Sequence, residues 1–122
     1  MTDPASFRNG DVEAVYHGRA LCPLTLHWQF VDPHHILGRG EDFGIKKDDP
    51  RRYLLSSILN FAPLQRDVHK GPRRDHPYMR ALLLEAAAKK VQEAIVKGYY
   101  ALTVLDRDFL SLADEWKKRN NL

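Results

Sequence analysis

Residues 77–98, PYMRALLLEAAAKKVQEAIVKG, constrain the fold more than any other stretch of the chain. Leu84, Ala88, Val91 and Ile95 recur at helical spacing, so one face of a helix here seeks a core. Asp75 or His76 stands where a cap belongs, Pro77 falls in the first turn, and Gly98 ends the pattern. A second helix is expected from near Asp106, with Phe109, Leu112, Ala113 and Trp116 on its buried side. Ahead of these helices the chain reads differently. LTLHWQFV, residues 24–31, alternates and is rich in aromatic and branched side chains, which predicts a strand, and HHIL continues as a second extended piece after Pro33. Strands first and helices afterwards define an α+β domain, and 122 residues make one domain, 1–122, with a helical extension over about 76–120.

Other segments are read from breakers and weaker patterns. Val12 to Tyr16 is expected as a short strand. Residues 38–52, GRGEDFGIKKDDPRR, are dense in glycine and charge and form a loop. YLLSSILNF is an apolar run expected to be extended, and APLQRDVHK a short helix with Pro63 in its first turn.

Composition narrows the class. The single cysteine, Cys22, excludes an internal disulfide framework and a cysteine-rich zinc knuckle. The polar start, MTDPASFRNG, lacks the apolar run of a signal peptide, and no window reaches the roughly 18 apolar residues of a membrane span. A cytoplasmic protein is the expectation. The net charge of +3 is unevenly distributed. Residues 1–36 hold two basic and four acidic side chains, whereas residues 37–76 hold nine and six, with pairs at Lys46-Lys47, Arg51-Arg52 and Arg73-Arg74. A polyanion such as nucleic acid is compatible with that enrichment, and so is a solvated loop of mixed charge.

The basic segment surrounds the residues that carry chemistry. VDPHHILGRG places His34 and His35 between a proline and a glycine-rich turn, and LNFAPLQRDVHKG supplies Asn60 and, nine residues later, His69. This order resembles the HNH endonucleases over about residues 24–73, and the HHILGR wording and N-x-x-P-L pattern look like phage and prophage members. The resemblance implies a ββα-metal core. By position, it makes His34 and His69 ligands of one divalent ion, His35 the general base and Asn60 a brace. DNA, duplex or branched, is the implied substrate. The alternative is a non-catalytic nucleic-acid-binding or phage assembly module that keeps a degenerate site.

The chemistry agrees with these roles. Phosphodiester hydrolysis needs an activated water, neutralised phosphate charge and a stabilised leaving alkoxide. Imidazole titrates near working pH and can serve as the base, and imidazole ligands suit zinc, nickel or manganese, with magnesium preferring oxygen. Arg39, Arg66, Arg73 and Arg74 are candidates for phosphate contacts. Neighbours on a regular strand face opposite ways, so His34 and His35 share a site only if Pro33 or Gly38 distorts the backbone. Some family members place a second histidine one helical turn after the last, where this chain has Arg73. A two-histidine metal site completed by water or phosphate ranks first, His76 as third ligand second and Asp32 third, with Asp75 a further alternative. His17, His27 and Cys22 match no motif and read as structural.

Overall fold

The computed structural model describes residues 7, 9–16, 31–37, 49–65 and 77–122. Within them lie three helices, α1 (Asn9–Tyr16), α2 (Pro77–Val96) and α3 (Val104–Arg119), and two strands, β1 (Val31–His35) and β2 (Phe61–Gln65). Two 3-10 turns, Arg52–Ser56 and Ile58–Asn60, precede β2. This mixture of helices with a small antiparallel sheet is an α+β architecture. Of the strand expected over 24–31, residues 24–30, and of the loop expected over 38–52, residues 38–48, lie outside the described residues.

β1 and β2 pair without interruption from Val31↔Gln65 to His35↔Phe61, which sets Pro33 opposite Pro63. Ile36 N–H continues the ladder by donating to Asn60 O at 3.0 Å. Hydrogen-bonded and non-bonded pairs alternate in an antiparallel ladder, so counting back from that rung leaves the proline pair at a non-bonded position. Neither ring then deprives the sheet of an N–H it needs. Pro63 is therefore a strand residue, which corrects the short helix expected over residues 62–70; residues 66–70 lie outside the described set.

A two-stranded sheet is marginal in isolation. α2 packs on β2, on α1 and on the second 3-10 turn, while α3 packs on both turns. On α3 the expected face is the observed one, with Phe109, Leu112, Ala113 and Trp116 at most 5% exposed. The helix begins earlier than expected, because Thr103 and Asp106 form a capping box. On α2 the face is rotated: Leu84 and Val91 are buried as expected, but Ala88 is exposed and Ile95 half-buried. Leu83, Ala87 and Ala94 complete the buried stripe.

Two extended assignments give way to helical geometry. Residues 9–16 form α1 because Val12, Val15 and Tyr16 fall at i, i+3 and i+4 and share one face toward the core. In YLLSSILNF the serines turn the chain. Ser56 Oγ donates to Tyr53 O at 2.6 Å, and Ser57 Oγ accepts from Leu59 N–H at 3.2 Å. Such local bonds compete with strand formation, and the turns bury Leu54, Leu55, Ile58 and Leu59 together.

Gly98 closes α2 with φ +80°. Tyr99 N–H returns to Ala94 O at 2.8 Å and Gly98 N–H to Ile95 O at 3.0 Å, the bonding pattern of a Schellman cap. A Cβ at Gly98 meets nothing within 4 Å, so the cost of a side chain there is conformational. Gly98→Ala is expected to lower stability by about 1 kcal/mol, measured as a shift in the urea midpoint with an unchanged m-value.

Candidate functional site

The backbone places His34 and His35 at the end of β1, where the chain leaves the sheet. His34, opposite Ala62, is 9% exposed. His35, opposite Phe61, is half-buried, and its ring stacks on Phe7 with centroids 4.2 Å apart and planes 19° from parallel. Phe7 in turn meets Phe61 edge-on at 5.0 Å, and Tyr16 lies at 5.1 Å from Phe61. An aromatic cluster therefore fixes the orientation of the His35 ring. The one-to-one register contains no bulge at Pro33. Consecutive strand residues face opposite ways, so β1 sends His34 and His35 to opposite sides of the ladder. The distortion expected at Pro33 is not found, and Gly38 lies outside the described residues.

Asn60 occupies the equivalent corner on the other strand. It ends the second 3-10 turn, one residue before β2, and is fully buried. Its Oδ1 accepts from Leu37 N–H at 2.8 Å, and its Nδ2 donates to Leu37 O at 2.9 Å and Leu55 O at 3.0 Å. Where the ladder's backbone rungs end at Ile36–Asn60, the side chain of Asn60 supplies the next ones. Both amide hydrogens and the oxygen are used, so the segment after His35 is pinned to the turn before β2. A strand follows Asn60, so its side chain caps no helix there.

His69 lies outside the described residues, as do Asp75, His76, His17, His27, Cys22, Arg39, Arg66, Arg73 and Arg74; the Asp32 side chain is likewise not described. Among the described residues no group of three or more His, Cys, Asp or Glu side chains is placed to hold a metal ion. Of the basic pairs, Arg51 is exposed and engages Asp49 at 3.3 Å. The hydrogen bonds from Arg51 hold the Asp49 carboxyl below its usual range. No helix among the described residues is long and apolar enough to cross a membrane.

A second polar cluster, not singled out by sequence reasoning, lies behind the Asn60 turn. Ser57 is fully buried and Asp106 is 1% exposed, and Ser57 Oγ donates to Asp106 Oδ1 at 2.7 Å. Asp106 Oδ2 accepts from the Tyr100 hydroxyl and from Thr103 N–H at 3.1 Å. Burial, and then the bond to Asp106, hold the Tyr100 hydroxyl well above its ordinary range, so it remains a donor. The Thr103-x-x-Asp106 spacing was a readable signal for the cap, but nothing in the sequence links it to Ser57.

Comparison of the chain with protein-family models, with curated proteins and with solved structures gives no match.

Proposed function

We propose that the protein is a metal-dependent endonuclease of the HNH type, hydrolysing phosphodiester bonds in duplex or branched DNA on a ββα-metal core. The Asn60 clamp carries this reading. A buried asparagine that ties the exit of the His-His strand to the start of the next strand is what an HNH brace must do. Its three bonds hold the histidine strand against β2, and β2 leads toward His69.

In this reading His35 takes a proton from the attacking water through a ring nitrogen. The Phe7 stack limits ring rotation and so favours one approach direction. His34 and His69 are the proposed ligands of a divalent ion, and two imidazoles fit zinc, nickel or manganese better than magnesium. When bound, that ion supplies charge neutralisation at the phosphate and stabilisation of the leaving alkoxide. The basic residues between 37 and 76 are proposed to face the DNA backbone.

A second reading has its own observation. The regular register of β1 separates His34 from His35, as suits a non-catalytic nucleic-acid-binding or phage assembly module in which both rings serve packing. Titration calorimetry with nickel or zinc separates the two. His34→Ala and His69→Ala are expected to lose affinity by 10-fold or more, and His76→Ala to change little. His76 lies seven residues past His69, about 10 Å along an unbroken helix and too far for the same ion. Equal losses in all three variants make His76 a ligand. Unchanged binding in His34→Ala or His69→Ala removes the metal-nuclease reading.

A further inference from the structure

Asp106 is the only buried acidic side chain among the described residues. A capping box accounts for one of its oxygens, since Oδ2 meets Thr103 N–H while Asp106 N–H donates to Thr103 Oγ1 at 3.2 Å. It does not account for Oδ1, which reaches a serine 49 positions earlier in the chain. That bond, at 2.7 Å between two buried side chains, lies away from water, which makes it strong and directional.

Ser57 passes the constraint on. Its Oγ also accepts from Leu59 N–H at 3.2 Å, and its carbonyl accepts from Asn60 N–H at 2.9 Å. Asp106 therefore fixes the serine that caps the short turn ending in Asn60, and Asn60 fixes Leu37, two residues beyond His35. α2 and α3 both pack against this turn. We infer that Asp106 is a positioning residue for the candidate site, acting through Ser57 and the Asn60 clamp to hold the exit of the His34–His35 strand. The inference that the clamp serves catalysis rests on the nuclease reading; the mechanical link from Asp106 to Leu37 does not.

Amide hydrogen exchange in the full chain tests the link without reference to activity. In Ser57→Ala the Leu37 and Leu59 amides are expected to exchange at least 10-fold faster relative to Val91 in α2, and Asp106→Asn is expected to act on the same two amides. Leu112→Ala, which weakens the core but keeps the Ser57 and Asp106 side chains, is the control and should speed all amides alike. In nicking assays both link variants are expected to lower kcat about 10-fold, with KM for DNA within two-fold and the midpoint of the pH profile unmoved. Exchange at Leu37 that changes only in step with Val91 overturns the link. Loosened Leu37 with unchanged kcat overturns the positioning role. A wild-type chain that does not nick DNA removes the nuclease reading, and the exchange result still decides the link.

Discussion

Replacing His35 with alanine is expected to lower DNA nicking by a factor of about 10²–10⁴, the range over which a general base contributes. Metal affinity should be nearly unchanged, because His34 and His69 are the proposed ligands. The ring also packs against Phe7 at 4.2 Å, so alanine removes a stacking contact worth about 0.5–1.5 kcal/mol. His35→Phe separates the two roles: it can keep the stack but cannot accept a proton. Activity lost in both variants, with thermal stability restored in the phenylalanine variant, assigns His35 to proton transfer. Near wild-type nicking by either variant at neutral pH places the base elsewhere, with His34 the first candidate.

The second large effect is on stability. Asn60→Ala leaves Leu37 N–H, Leu37 O and Leu55 O without their side-chain partner in a fully buried setting. Each unsatisfied group costs about 1–3 kcal/mol, so a loss on the order of 3 kcal/mol or more is expected, a large share of the usual 5–15 kcal/mol of a small domain. Differential scanning calorimetry should show Tm falling by roughly 10 °C or more. Asn60→Asp keeps the size but turns a carboxylate oxygen toward two carbonyls. Its stability should be low at neutral pH and recover in acid, where the protonated carboxyl can donate one bond. Below its own Tm, Asn60→Ala should nick DNA more slowly than wild type, but by a smaller factor than His35→Ala, since it displaces the base and does not remove it. An Asn60→Ala protein with wild-type Tm contradicts the clamp.

How far the sequence revealed the fold differs from element to element for physical reasons. The buried face of α3 was legible because Phe109, Leu112, Ala113 and Trp116 share one helical phase, while Arg107, Asp108, Asp114, Glu115, Lys117 and Lys118 fill most of the remaining positions. In α2, three leucines at 82–84 and three alanines at 86–88 offer several phases of nearly equal hydrophobicity, and tertiary packing chose the one through Leu83 and Ala87. Of the run 53–61, only Phe61 is extended; the rest was misread because its apolar residues, broken by Ser56, Ser57 and Asn60, fit no single period, and the two serines bonding locally turn it into 3-10 structure. At the candidate site the roles proposed for His34, His35 and Asn60 come from the resemblance to HNH endonucleases that their order and spacing carry. The stacking of Phe7 on His35 and the reach of Asp106 to Ser57 could not be read from the sequence, because both join residues far apart in the chain.

Incubation of wild-type protein and His35→Ala with supercoiled plasmid, in manganese, nickel, zinc or magnesium and with an excess of chelator, tests the nuclease reading most directly. The reading predicts conversion to nicked or linear DNA by the wild type in at least one metal, none with chelator, and at least 100-fold less by His35→Ala. Plasmid left intact by folded wild-type protein in every metal, or cut equally well in the presence of chelator, contradicts it; equal cutting by His35→Ala moves the base to another residue.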